Sequence, residues 1–554
     1  MKNKNDTTGK SAVNMFFSGV VILTLASILV KAVGLISKIA LNRVVGSVGA
    51  GYYSSAYEIY AFLYIISTSG LPVALSIMIS KSRARGRFKE AKKIFNVAIV
   101  LFLILGALFA TLMIVFSENI ASVISAPETM WCIIAVAPTI LFVCLSSCAR
   151  GYFQGHQLMQ PTAISQFIEA LCKVLVGVGF AFWAKSQGFP PYIVAAFTIL
   201  GVSVGVFLGM VFLYIKKIFF NDKKLNEAFL ADIGAKNGCV LAEDDSCKGV
   251  AQLLKELLVI AIPITISSSV LSLTIIIDTF MVQGGLIAYG LPDSIVRIYY
   301  GDYTSLVISM CNLPTVLFYP IANALVPLIS ASNEAKDYER SATMRSFSLR
   351  VINLIAVPCA MGMAIFAYPI LDLLMFKADS VTRAAPWLSV ASISVIFLGL
   401  ISATNAFLNT AGKQRLPIIS MLVGAGAKLA LNFILIEKIG IYGAPISTVV
   451  CYLLAASFNI FFTVKYVGKL PNIRKVFFMP ILCSILSIGL SALLFLAFEL
   501  IIPIKIATIL CIITSVLGYL FLIIKTKTVT REEILLLPSG DKIEKLLKKL
   551  RLMV

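Results

Sequence analysis

Two lysines lie within the first hydrophobic stretch of the sequence, at Lys31 and Lys38 in LASILVKAVGLISKIAL. A charged side chain at bilayer depth costs about 2.5–3.5 kcal/mol on insertion scales, so it is expected to face a polar cavity or a partner of opposite charge. The seven-residue spacing is almost two helical turns, which places both ammonium groups on one face of a helix. This cationic face predicts an internal pocket for an anionic group.

Three further charged residues, Glu58, Glu169 and Lys173, are expected within the apolar spans that follow. Glu58 is the most obvious partner for the first-span lysines, but one carboxylate cannot neutralise two ammonium groups. Glu169 and Lys173 are four residues apart, the spacing at which opposite charges pair on one helix. Two hypotheses follow: a structural ion pair at Glu169 and Lys173, and a substrate-binding site to which all five residues contribute.

Asp278, in LSLTIIIDTFMV, is interpreted as the only acid deep in the spans of the second half, where Lys428 also lies. One hypothesis is a structural salt bridge between them. The other is a coupling site for Na⁺ or H⁺, since a carboxylate with nearby amide and hydroxyl oxygens can hold either ion. Asn432, one turn after Lys428, and Thr448 on the next span would supply those oxygens.

Catalytic and metal-binding motifs are missing from the sequence. It contains no Walker A, no GxSxG and no paired-carboxylate site on a soluble domain. His156 is the only histidine, and Cys239 and Cys247 share a cytoplasmic loop without one. Cytosolic thiols stay reduced. We therefore expect neither an enzyme nor a metal protein, and no cofactor other than a coupling ion.

The elements that must position these residues are membrane-spanning helices. Of the 554 residues, 59% are hydrophobic and only 13% are charged, and the mean hydropathy is +0.95. This composition predicts an all-α polytopic membrane protein. Fourteen runs reach the length of about 20 residues that crosses a bilayer. They are 14–42, 49–79, 93–116, 130–150, 161–185, 190–215, 256–282, 304–330, 346–376, 385–411, 416–436, 441–464, 476–498 and 503–524.

The distribution of basic residues predicts the orientation of the chain. The net charge of +20 is compatible with nucleic-acid binding, but lysine and arginine are concentrated between spans rather than on a binding face. Nucleic acid is therefore not expected as a partner. With both termini in the cytoplasm, the loops rich in Lys and Arg lie inside, as the positive-inside rule requires. The opposite orientation would place KSRARGRFKEAKK (81–93) outside.

Five segments are predicted from the spacing of the spans. They are an N-terminal lobe at 1–215, a cytoplasmic linker at 216–255, a C-terminal lobe at 256–470, two additional spans at 471–525 and a cytoplasmic amphipathic tail at 526–554. The tail would lie on the anionic inner leaflet, with leucines on one face and lysines on the other.

A weak internal repeat relates the two lobes. RGYFQGHQLMQPTAISQFIEALCKVLVG and NAFLNTAGKQRLPIISMLVGAGAKLALN both contain a glycine turn, a proline and then a lysine 11 or 12 residues later. An even number of spans separates the copies, so the repeat is parallel. It predicts two six-helix lobes around a central cavity, with rocking between them.

Four sequence stretches carry a family resemblance: GYYSSAYEIYAFLYIISTSGLPVALSIMISK, RGYFQGHQLMQPTAISQFIEALCK, LPTVLFYPIANALVPLISAS and NAFLNTAGKQRLPIISMLVGAGAKLALNFILI. Together they resemble the polysaccharide-transporter branch of the multidrug/oligosaccharidyl-lipid/polysaccharide (MOP) exporter superfamily. Within it, the chain is most similar to the stage V sporulation B proteins and MurJ-type lipid II flippases of Gram-positive bacteria. The most specific stretch runs from Arg150 to Glu169.

This resemblance implies a multi-pass protein of the bacterial plasma membrane that exports an undecaprenyl-linked saccharide by alternating access. It implies a lipid-linked oligosaccharide as substrate and cell-wall synthesis enzymes as partners. Basic residues in the first span of the family correspond to Lys31 and Lys38, and an acid in its seventh span corresponds to Asp278. Lysine lacks the planar fork with which the arginine of many relatives can bind phosphate.

Two other functions are alternatives. A cation-coupled drug exporter of the same superfamily would favour an acidic cavity, which the buried lysines argue against. A non-transporting scaffold for cell-wall enzymes would gain nothing from charges buried in its spans.

Overall fold

The computed structural model describes residues 6–84, 87–156, 158–220, 248–318, 329, 338–374, 378–468 and 474–526. Within these ranges the regular secondary structure is helical, which confirms the all-α polytopic fold predicted from the sequence. The chain divides into two compact units, Met1–Gly284 and Gly285–Val554.

The first unit is built from long helices. They are α1 (Asp6–Ala84), α2 (Phe88–Val115), the short α3 (Ser117–Val123), α4 (Met130–Gly155), α5 (Gln160–Ser186), α6 (Pro191–Ile218) and most of α7 (Val250–Ala288). Gly46 interrupts α1 with φ 78° and ψ 175°, a conformation that essentially only glycine adopts. This interruption lies between the predicted spans 14–42 and 49–79.

Helix α4 lies at the centre of the first unit and is largely buried. Its two glycines, Gly151 and Gly155, allow close contact with α1. A β-carbon at Gly151 would lie 2.7 Å from the carbonyl oxygen of Pro72, and one at Gly155 would lie 2.8 Å from Ile79. The stretch RGYFQG is therefore a packing motif in this structure, since only glycine permits this separation.

The N-terminal half of α7 packs with the first unit. Leu253, Leu257 and Ala261 belong to the same buried cluster as residues of α1, α2, α4 and α6. Gln283, near the C-terminal end of α7 and still within the first unit, donates a hydrogen bond of 2.9 Å to the hydroxyl of Ser55. The sequence assigns α7 to the second lobe. Most of the predicted linker at 216–255 lies outside the described residues, and the division into lobes stays a prediction.

The second unit consists of shorter helices. They are α8 (Asp293–Asp302), α9 (Tyr338–Ile365), α10 (Ala367–Leu373), α11 (Ala378–Ala391), α12 (Ser394–Thr410), α13 (Arg415–Ile439), α14 (Gly443–Tyr466), α15 (Met479–Phe498) and α16 (Ile504–Lys525). A π-helical turn, Tyr303–Ile308, follows α8 directly. Helices α11 and α12 meet at 44°, as the two halves of one bent span would.

Nine helices among the described residues are long and apolar enough to cross a membrane, and the bent pair raises this number to ten. One of the nine, Arg415–Tyr466, covers two of the predicted spans, 416–436 and 441–464. The chain is thus a multi-pass membrane protein. Part of the predicted span 304–330 and the whole tail after residue 526 lie outside the description, so the total of fourteen spans stays a prediction.

Candidate functional site: a charged and aromatic cluster in the first unit

The site is built around an ion pair between α4 and α5. The guanidinium of Arg150 donates to the carboxylate of Glu169 at 2.8 Å, and its Nε donates to the hydroxyl of Ser165 at 3.2 Å. The Arg150 side chain is 7% exposed and that of Glu169 is 19% exposed. Hydrogen bonds between ionised groups are about twice as strong as neutral ones. This pair therefore fixes the end of α4 against α5.

Lys173 lies one turn after Glu169, and its ammonium nitrogen is 4.1 Å from the centre of the Tyr57 ring on α1. It also interacts electrostatically with Tyr53 and, more weakly, with Glu169. The four-residue spacing predicts an ion pair between Glu169 and Lys173, but the carboxylate forms its ion pair with Arg150 instead. A buried guanidinium is costly without a partner. Its planar fork also suits a carboxylate better than an ammonium does.

Four tyrosines of α1 form a row beside these charges, which we call the tyrosine ladder: Tyr53, Tyr57, Tyr60 and Tyr64. Successive ring centres are separated by 5.7, 5.6 and 5.9 Å. The hydroxyl of Tyr64 interacts electrostatically with Arg150 and Glu169. The ladder therefore extends from Lys173 at one end to the ion pair at the other.

Small residues hold α5 in the orientation that this site requires. Gly201, Gly205 and Gly209 follow one another at every fourth position of α6. A β-carbon at Gly205 would lie 2.6 Å from the carbonyl oxygen of Glu169, and one at Gly201 would lie 2.3 Å from the Cα of Gly177. Such small-xxx-small patterns allow close packing of helix backbones in membranes. The contact fixes the direction in which the charged side chains of α5 project.

Three exposed apolar residues of α5 close to its charges lie on a different face from those charges. Ile164, Leu171 and Leu175 are 47%, 39% and 64% exposed. At 100° per residue, Glu169 and Lys173 project from roughly the opposite side of the helix. The exposed apolar face is the one expected to contact lipid, so the two charges are directed into the helical bundle.

The remaining predicted substrate residues lie on α1. Glu58 follows Tyr57 directly, is buried and interacts electrostatically with Tyr53. Lys31 and Lys38 lie N-terminal to the break at Gly46 on the same helix. Their side chains lie outside the described part of the chain, so their contribution to a cavity stays a prediction.

The residues predicted to bind a coupling ion belong to both units. Asp278 is buried in the first unit, while Lys428 and Asn432 are buried in the second. Ser447 donates a hydrogen bond of 2.5 Å to the side-chain oxygen of Asn432. Thr448, the predicted ligand, donates instead to the carbonyl oxygen of Ala444 in its own helix. The structure thus brings Ser447 to Asn432, and the ion site itself stays a prediction.

Two further ionic residues escape detection from the sequence. The side chain of Asp302 is fully buried, and its Oδ2 accepts hydrogen bonds from Arg383 at 2.7 and 2.9 Å. Asp302 is therefore a second buried acid beside Asp278, although it lies outside the predicted spans. The signal was present in GDYTSLVIS, where Asp302 immediately precedes an apolar run, but the predicted span begins two residues later.

Comparison with known families identifies relatives over most of the chain. A profile described as "Polysaccharide biosynthesis protein" matches residues 16–333, and a second profile, MatE, matches residues 303–434. Stage V sporulation protein B of Bacillus subtilis (strain 168) is 26% identical over 444 residues, covering 78% of this chain and 80% of the relative. Lipid II flippase MurJ of the same organism is 22% identical and covers 85% of this chain and 87% of the relative.

Two solved structures share the fold. Lipid II flippase MurJ in an inward closed conformation matches with a TM-score of 0.63 at 14% identity, covering 91% of this chain and 98% of the other. A multidrug resistance MATE family transporter in an inward-facing conformation also gives a TM-score of 0.63, at 15% identity, covering 80% and 97%. The fold is therefore that of the MOP superfamily transporters.

Proposed function

Because this chain belongs to the Polysaccharide biosynthesis protein family of the MOP superfamily, we propose that it is a flippase for an undecaprenyl-pyrophosphate-linked saccharide. The substrate is lipid II or a related cell-wall precursor, moved to the outer leaflet by alternating access. The relative named lipid II flippase MurJ supports a lipid-linked precursor as cargo.

The observation that carries this proposal is the buried cluster of charges and aromatic rings in the first unit. Arg150 and Lys173 are its two cations, Glu169 is paired with Arg150, and Glu58 is a second buried carboxylate, on α1. The Lys173 ammonium contacts the Tyr57 ring, and we assign it the role of contacting the anion. Lysine in this position can bind a phosphate as a point charge.

A cationic site of this kind meets the physical requirement of flipping. A pyrophosphate and a polar saccharide cannot cross about 30 Å of hydrocarbon without a replacement for their lost hydration. Lys173 would contact the pyrophosphate, together with Lys31 and Lys38. Glu58 and Glu169 would orient the cations and accept hydrogen bonds from the saccharide. The polyprenyl chain would remain in lipid.

The experiment is a transbilayer assay with purified protein in liposomes and fluorescent lipid II. Lys173→Gln is expected to slow movement at least about ten-fold, since one charge-assisted contact is worth about 1.5–3 kcal/mol. Lys438→Gln, an exposed lysine at the end of α13, is the matched control and should transport normally. Unchanged transport by Lys173→Gln would remove Lys173 from the site, and no movement by the unmodified protein would refute the flippase.

A multidrug exporter is the second candidate, because MatE matches residues 303–434 and a MATE structure shares the fold. Such an exporter would move cationic dyes, whose charge Lys173 would repel. Efflux of a cationic dye from cells that express the protein, without movement of lipid II in liposomes, would favour this candidate. Movement of neither compound would favour the scaffold that recruits cell-wall enzymes.

A further inference from the structure

The tyrosine ladder combines buried and accessible rings. Tyr53 and Tyr60 are only 5% and 3% exposed, so they form the buried side of the tyrosine ladder. Tyr57 and Tyr64, seven residues apart and hence on one face of α1, remain partly exposed. Their separation along the helix axis is about 10 Å at 1.5 Å per residue. The two rings therefore present accessible aromatic surface beside Lys173 and Glu169, each tilted to the Tyr60 ring between them, by 52° and 54°.

The position of the ladder along α1 sets it apart from an interfacial belt. Tyrosines of membrane proteins usually gather where the bilayer meets water. Within the predicted span 49–79, which follows the break at Gly46, Tyr64 instead lies at the middle and Tyr57 about 10 Å from it along the helix axis. A phenol hydroxyl at that depth needs polar neighbours, and here the neighbours are charged: Lys173 at Tyr57, and Arg150 with Glu169 at Tyr64.

An aromatic surface bordered by charged groups matches the chemistry of a saccharide. Sugar rings carry C–H groups on their faces, which pack against aromatic rings. They carry hydroxyl groups at their edges, which exchange hydrogen bonds with carboxylate, guanidinium and phenol groups. An acyl chain would gain nothing from these polar edges, and a bare phosphate would gain nothing from the ring faces.

We propose that Tyr57 and Tyr64 form a saccharide platform on which the head group of the lipid-linked substrate stacks. Lys173, 4.1 Å from the centre of the Tyr57 ring, places the pyrophosphate at one end of this platform. The first sugar then packs against the exposed part of the Tyr57 ring, beside Lys173, and the next part of the head group lies toward Tyr64, Arg150 and Glu169. This inference rests on the proposed function and assigns the substrate class that these tyrosines recognise.

The test compares two lipids that differ only in the head group: undecaprenyl pyrophosphate and the same lipid with a disaccharide attached. Binding of each to the purified full-length protein is measured for the unmodified chain, Tyr57→Leu and Tyr57→Phe. Tyr57→Leu is expected to weaken binding of the saccharide lipid about ten-fold more than it weakens binding of undecaprenyl pyrophosphate. Tyr57→Phe keeps the ring and is expected to retain most of the affinity.

Controls make each outcome decisive. Tyr368 is a 42% exposed tyrosine of the second unit, and Tyr368→Leu should bind both lipids normally. Tyr64→Leu replaces Tyr57→Leu as the test variant if Tyr57→Leu does not fold. Equal losses for the two lipids, or no loss for either, would overturn the platform while the flippase proposal stands. If the unmodified protein binds neither lipid, the proposed function itself fails.

Discussion

The ion pair of Arg150 with Glu169 is the most buried charged contact of the candidate site. Arg150→Ala would leave the Glu169 carboxylate without its cation in a largely apolar bundle. Removing one partner of a buried pair costs about 3–5 kcal/mol. We expect Arg150→Ala to lower the thermal unfolding midpoint in detergent markedly. The exposed Lys438→Ala is the control and should leave the midpoint unchanged.

The double variant Arg150→Ala with Glu169→Ala separates charge from packing. It removes both ions, so it should be more stable than the sum of the two single variants predicts. Additive losses would contradict an energetic interaction between the two residues. In that case Arg150 would contribute to stability through its contacts with Ser165 and its neighbours alone.

The partner of Glu169 illustrates what sequence spacing can and cannot predict at the residue scale. Spacing of four residues identifies Lys173 as a neighbour on the same helix, and the structure does place the two in electrostatic contact. The spacing carries no information about which residue of another helix contacts the same carboxylate. Arg150 reaches Glu169 because tertiary packing places the end of α4 beside α5, where its Nε also donates to Ser165.

At the scale of elements, the backbone contact between α5 and α6 positions the charged site. We expect Gly205→Ala to destabilise the protein by about 1–3 kcal/mol, since its β-carbon would lie 2.6 Å from the carbonyl oxygen of Glu169. The helices must separate to admit it, and transport should fall because Glu169 and Lys173 shift. Thermal midpoints and lipid II movement are the two measurements.

Gly179→Ala is the matched control, because a β-carbon at this helical position of α5 meets nothing within 4 Å. Alanine favours a helix by up to about 1 kcal/mol over glycine, so this variant should be equally stable or slightly more stable. If Gly205→Ala behaves as Gly179→Ala does, the close packing of α5 with α6 does not position the site.

Helices were more predictable than their breaks. Apolar runs predict α2, α4, α5 and α6 because a membrane helix must satisfy its backbone internally and present apolar side chains outward. Hydropathy alone does not separate a buried polar helix end from a loop, so Asp302 escaped detection. It also does not assign α7 to a unit, since that depends on the contacts of Leu253, Leu257 and Ala261.

At the scale of the whole molecule, the charge distribution predicts that residues 81–93 are cytoplasmic. In a cysteine-free background, Arg85→Cys should resist a membrane-impermeant maleimide in intact cells and react after permeabilisation. Asn119→Cys, after the third predicted span, should react in intact cells. Labelling of the cysteine at position 85 from outside would reverse the predicted topology.

Energy coupling also belongs to the whole molecule, because a carrier without an external bias only equilibrates its substrate across the bilayer. No nucleotide-binding motif is present in the sequence, and a membrane potential of 100 mV supplies about 2.3 kcal/mol per charge. An ion bound at the buried Asp278 can use this energy only if the transporter's conformations bind it with different affinity.

We expect Asp278→Asn to retain lipid II binding but to lose the acceleration of transport by a sodium or proton gradient in liposomes. Asp293→Asn, whose aspartate side chain is 65% exposed at the start of α8, should keep it. An unchanged gradient response in Asp278→Asn would assign Asp278 a structural role, as the salt-bridge hypothesis requires.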